Sequence, residues 1–203
     1  MKHVLLYFSL LIISFSCTNK KRIGLQPYKG FNSKLTDTIA QAINQVYTMN
    51  VVVMSERPHP ADAIVKHRPN RYRADKLLID LKNNMDDSFD FILGLTHSDI
   101  STTKKNADGT IKEPRSKYAD WGIFGLGYRP GPSCVVSTYR LKNINQNLFV
   151  SSLKKVCIHE IGHNLGLDHC INKDCVMQDA VETINTVDAV EMSLCNECKR
   201  EIN

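Results

Sequence analysis

The 203-residue sequence lacks a strong excess of either charge: 26 lysines and arginines stand against 21 aspartates and glutamates, a formal net charge of +5. It also has no basic stripe with interleaved aromatics, so nucleic-acid binding is not expected. A hydrophobic fraction of 42% and a charged fraction of 23% lack the bias of wholesale disorder, collagen or coiled coil. No internal repeat is present. Seven cysteines are too few for a disulfide-only scaffold of this size. The apolar run from Val4 to Ile13 is too short to cross a bilayer as a permanent helix. What is left is a length that fits one ordinary domain with a real core.

That apolar run follows a basic start, Met1-Lys2-His3, and ends in Ser14-Phe15-Ser16-Cys17 before the polar Thr18-Asn19-Lys20-Lys21-Arg22. The segment resembles a bacterial lipoprotein signal, with residues 1–16 removed and Cys17 lipidated, although Phe15 is bulky for the position it holds. An ordinary secretory signal or an uncleaved anchor are the alternatives. The expectation is an exported protein of the bacterial cell envelope, held to the membrane through Cys17. Residues 17–32 read as a tether, since the part from Lys20 to Asn32 carries Gly and Pro without periodicity. Residues 33–203 form the domain.

Within it, Leu35, Ile39, Ile43 and Val46 recur at helical spacing and predict a helix over 33–47. Val51 to Met54 reads as a buried strand, Tyr72 to Asn84 as a second helix, and Phe89 to Leu95 as a further strand. Ser98 to Asp120 is polar, with an Asp108-Gly109 turn, and reads as a surface insertion or mobile hairpin. Trp121 to Leu126 and Cys134 to Tyr139 read as strands. Leu148 to Leu165 reads as a long helix stopped by Gly166. Helices and strands in this mixture imply a single α+β domain.

The long helix carries His159-Glu160-Ile161-Gly162-His163, followed by Gly166 and His169. Histidines at i and i+4 share one helix face, so both imidazoles reach one metal, with Glu160 beside that face. Gly166 lets the chain turn and bring in His169. Three neutral imidazoles favour zinc with one open position, the arrangement of a catalytic site. Directly after come Cys170, Cys175, Cys195 and Cys198, two close pairs that suit a closed tetrahedral zinc; two disulfides are the alternative. Cys134 and Cys157 remain as a disulfide or as separate buried thiols. His59, His67 and His97 read as surface residues. Tyr139 and Arg140 either touch substrate or close a strand end.

The pattern HExxHxxGxxHCx4CxMx17CxxC, matched from His159 to Cys198, resembles that of the archaemetzincins, a branch of the metzincin zinc peptidases. Arg71-Tyr72-Arg73-Ala74, Leu93-Gly94-Leu95-Thr96 and Val136-Ser137 with Arg140-Leu141 also look like that family's order of elements. The resemblance implies a metzincin-like domain: a mixed twisted sheet, an active-site helix and a small irregular zinc-stapled C-terminal part. It implies two zinc ions per chain, one catalytic on His159, His163 and His169, the other structural on Cys170, Cys175, Cys195 and Cys198. Met177 would be the methionine of the Met-turn beneath the metal. The implied activity is peptide-bond hydrolysis by a zinc-activated water with Glu160 as general base and acid, in an endopeptidase or an aminopeptidase acting as a monomer on peptide or protein substrates. The strand from Cys134 to Tyr139 would line the cleft as an edge that a peptide extends. A non-catalytic zinc-stabilised binding module and a zinc hydrolase of a non-peptide amide are the competing readings.

Overall fold

A computed structural model describes residues 20–141, 145–179 and 183–202. The expected signal segment, residues 1–16, and Cys17 lie outside the described residues. A five-stranded sheet in the order β2-β1-β5-β9-β8 forms the centre, and a four-stranded sheet in the order β3-β4-β6-β7 lies beside it. Strand β1 is Arg22–Pro27, helix α1 Ser33–Tyr47 and strand β2 Asn50–Val53. Short β3, Ile64–Val65, and β4, Arg68–Arg73, precede helix α2, Ala74–Asn83. Strands β5, Phe91–Thr96, and β6, Asp99–Thr102, then lead to the single turn α3, Arg115–Tyr118. Strands β7, Trp121–Ile123, β8, Gly125–Gly127, and β9, Ser133–Ser137, come next, and helices α4, Gln146–Asn164, α5, Ile184–Ala189, and α6, Asn196–Glu201, complete the chain.

Strands β1, β2, β5 and β9 run parallel and β8 runs antiparallel to β9. Every residue of β5 is buried, the continuous apolar run expected of a parallel strand covered on both faces. Leu93, Leu95, Cys134 and Val136 join Ile39 and Ile43 of α1 and Val156, Cys157 and Ile161 of α4 in one cluster. Ile92 and Val135 point to the opposite face and meet Leu77, Leu78 and Leu81 of α2. The active-site helix therefore packs on one face of the sheet, next to the β8 edge.

Four sequence expectations are corrected. Residues 22–27 are not tether but β1, hydrogen-bonded between β2 and β5, because Ile23 and Leu25 are fully buried and Gln26 donates to the carbonyls of Pro27 and Ser55. Strand β2 is an exposed edge rather than a buried strand. The polar segment 98–120 opens with a buried strand, β6, whose Asp99 is neutralised by Arg71 at 2.6 Å and Arg140 at 2.8 Å. Its Asp108-Gly109 turn is present, with Gly109 at φ +83° and the Thr110 N–H donating to Asp108. Finally, Trp121 to Leu126 is two strands: the chain leaves the second sheet after Ile123 and enters the first at Gly125, which makes β8, not β9, the edge beside α4.

Candidate metal centres and cleft

Helix α4 is cut to place its histidines. Asn145 caps its start, accepting from the N–H groups of Asn147 and Leu148. At its end the Gly166 N–H donates to His163 and the Leu167 N–H to Gly162, with Gly166 at φ +102°, a left-handed stop that only glycine adopts cheaply. The reversed chain carries His169 back, and ring centroids of His159, His163 and His169 stand 4.6, 4.9 and 5.3 Å apart. One nitrogen from each falls within 4.8 Å of the others.

The outer nitrogens fix the tautomers. His159 Nδ1 lies 2.8 Å from the Val176 carbonyl and His163 Nδ1 2.8 Å from the Leu167 carbonyl. A carbonyl only accepts, so both Nδ1 atoms carry the proton and both Nε2 lone pairs face inward. Burial pulls the His159 pKa down to about 4 and lowers that of His163, which keeps both rings neutral and able to ligate. His169 is half-exposed, with Asp179 at 3.6 Å from its Nδ1. This donor set fits zinc at an open site.

Glu160 is buried between α4 and β8, and burial pushes its pKa up to about 8. A Cβ on Gly125 would come 2.6 Å from its Oε1, and one on Gly127 2.9 Å from its backbone oxygen. The two glycines of β8 thus leave the room that the carboxylate occupies. Met177 is fully buried, with its sulfur where a Cβ on Gly162 would come within 2.3 Å, between the two helical histidines in sequence.

The cysteines form a second cluster. Cys170 and Cys195 sulfurs are 3.7 Å apart, Cys175 and Cys198 sulfurs 3.8 Å. A disulfide needs about 2.05 Å, whereas the edge of a zinc–thiolate tetrahedron with about 2.3 Å bonds is about 3.8 Å. The four thiols therefore fit a closed zinc site and not two disulfides. The backbone N–H of Cys198 lowers the Cys195 pKa to about 7, while burial pushes the Cys170 and Cys198 thiols up. Cys134 and Cys157 are separate buried thiols, unpaired with each other.

A cleft of about 750 Å³ runs over α4, lined by Trp121 to Gly127 on one side and by Val176, Ile184, Val187 and Val190 on the other. Arg140, expected either at substrate or at a strand end, lines this cleft with its guanidinium lying on Gly122 and paired to Asp99. Tyr139 is exposed and does not line it. His59 is not the surface residue expected: its ring stacks between Tyr28 and Tyr72 at 4.3 and 4.1 Å and bonds Thr96. The sequence reading missed Gly125, Gly127, Arg129, Lys155 and the Arg129–Asp168 ion pair. Lys155 had a legible signal, since it stands four residues before His159 on the same helix face. The glycines had none, because their role depends on a strand from elsewhere in the chain.

Comparison with known proteins gives one family match, to peptidase family M54, over residues 20–203. The archaemetzincin of Halobacterium salinarum is 30% identical over 190 residues, spanning 89% of this chain and 99% of its own. The crystal structure of archaemetzincin from Methanopyrus kandleri superposes with a TM-score of 0.73 at 27% identity, covering 93% of this chain and 96% of that one. That of Archaeoglobus fulgidus, complexed with malonate, gives 0.72 at 26% identity, covering 89% and 99%. These relatives are archaeal, which overturns the bacterial cell-envelope placement read from the first seventeen residues. Among the described residues no helix is long and apolar enough to cross a membrane.

Proposed function

The chain belongs to peptidase family M54, the archaemetzincins, zinc-dependent metallopeptidases, and from that premise we propose which of its residues perform the hydrolysis and how. His159, His163 and His169 would hold the catalytic zinc, and Cys170, Cys175, Cys195 and Cys198 would hold a second, structural zinc, two per chain. The observation that carries this reading is the pair of preformed clusters, one with inward imidazole nitrogens and one with tetrahedral sulfur spacing. A bound zinc at the histidines supplies a Lewis acid that acidifies water and polarises a carbonyl.

Glu160 does the proton transfer. Its carboxylate takes a proton from the attacking water and returns it to the leaving amine. Burial alone favours the protonated form, and a dication beside it would act in the opposite direction. Met177 packs against the helix at Gly162, between the two helical histidines in sequence. The Val176 and Leu167 carbonyls keep the imidazoles from turning.

Among the described residues strand β8 offers an unpaired edge along the cleft, which supports an extended peptide binding by backbone hydrogen bonds with chain continuing on both sides of the cut. Among the described residues Glu160 is the only carboxylate lining the cleft, and its part in the proton transfer leaves none of them to pair a substrate's terminal ammonium. Both observations favour an endopeptidase over an aminopeptidase. The test is a peptide library acetylated at the amino terminus and amidated at the carboxyl terminus. Internal cleavage by the zinc-loaded protein, absent in Glu160→Ala, is the expected outcome; cleavage restricted to free amino termini would overturn it.

A further inference from the structure

The face of α4 that carries His159 and His163 continues one turn earlier to Lys155. That lysine is 8% exposed and lines the same cleft. Its Nζ donates to the Asp188 carbonyl at 2.8 Å, which uses one of three ammonium protons. The Asp188 carboxylate accepts from Ser152 and also attracts the ammonium electrostatically, without a direct hydrogen bond to it. Around the lysine the cleft wall is aliphatic, made by Val156, Ile184, Val187 and Val190. This part of the cleft is therefore largely aliphatic, with the Lys155 ammonium set into it.

We propose that this end of the cleft is a subsite for a glutamate or aspartate side chain of the peptide substrate, with Lys155 as the residue that selects it. The proposal rests on the peptidase reading and adds its substrate class. The aliphatic wall takes the methylenes of the acidic side chain, and the ammonium donates its remaining protons to the carboxylate. A neutral side chain would leave those donors without a partner in a desolvated pocket, and a lysine or arginine would meet a like charge. Elsewhere in the cleft the cationic side chains are Lys104, Arg129 and Arg140. Arg129 and Arg140 line it, each already held by an aspartate, Asp168 and Asp99, that does not line it. A charge-assisted hydrogen bond of this kind corresponds to roughly ten- to a hundredfold in selectivity.

The experiment compares the zinc-loaded wild-type protein with Lys155→Met, Lys155→Arg and Lys155→Glu on blocked peptide libraries. Matched peptides carrying Glu, Leu or Lys at the selected position follow. The wild type should enrich Glu or Asp at one position beside the cut. Lys155→Met should lower the ratio of kcat/KM for the Glu peptide over the Leu peptide by about tenfold or more. Lys155→Arg should retain the acidic preference, and Lys155→Glu should turn it toward Lys. No acidic enrichment in the wild type, or an equal fall on Glu and Leu peptides in Lys155→Met, would overturn the subsite. Absence of any cleavage would strike the peptidase reading itself. In that case fluorescence anisotropy of a labelled Glu peptide on the Glu160→Gln protein decides the subsite separately: binding weakened by Lys155→Met supports it, and binding indifferent to that change overturns it.

Discussion

Glu160 shows what one side chain's surroundings do to its chemistry. On an isolated helix it would be an ordinary carboxylate; between α4 and the glycines of β8 it is buried and its proton affinity raised. Glu160→Ala should retain both metals by elemental analysis and lower kcat/KM by about two to four orders of magnitude, the usual contribution of a positioned acid–base group. Gly125→Ala tests the room made for it. A methyl at 2.6 Å from Oε1 must move the carboxylate, so turnover should fall while zinc content and the melting temperature of the cysteine-stapled part are retained. Unchanged turnover in that variant would show that the carboxylate's position is not held by β8. Both HExxH and its third histidine were legible in the sequence, because a helix fixes the geometry of residues four apart. Gly125 was not, since its neighbour is 35 residues later and on another element.

Among the elements, the short segment from Trp121 to Gly127 and the irregular stretch after His169 do the most with the least regular structure. The first changes sheets at Phe124 and so brings residues of both of its strands to the cleft. The second is tied by cysteines: the Cys170 N–H donates to the Met177 carbonyl at 2.8 Å, and the Val176 N–H donates to the Ser193 carbonyl at 3.0 Å. Val176 is the residue whose carbonyl orients His159. Cys198→Ser should therefore lose one zinc of two, lower the melting temperature and also weaken activity, although no cysteine touches substrate. Loss of metal with full activity retained would separate the staple from the site. Polarity hid β6: Asp99-Ile100-Ser101-Thr102 reads as part of a surface insertion or mobile hairpin until Arg71 and Arg140 arrive to neutralise its aspartate.

At the scale of the whole molecule, pH dependence reports on groups far from the cleft. His59, clamped between Tyr28 and Tyr72, has its pKa lowered by burial to about 4. The unfolded chain takes up that proton near pH 6.5, so it binds more protons than the folded chain between those values. The contribution of His59 to stability is thus complete above about pH 6.5 and is lost as pH falls toward 4. Urea melts of the zinc-loaded protein at a series of pH values should show a decline over that window that His59→Phe reduces. The same slope in both proteins would assign it to other groups.

The sequence alone determined that His159 and His163 share one face of a long helix and that four cysteines gather in the C-terminal part, because each depends on spacing within one local element or on side-chain chemistry that needs no partner. The tertiary structure decided the rest. Only it shows β1 as a central strand rather than a tether, β8 rather than β9 as the cleft's edge, and Lys155 as a cation set in a largely aliphatic part of the cleft. Those properties belong to contacts between segments distant in the chain, where burial, charge neutralisation and the space left by a glycine are set by what packs opposite.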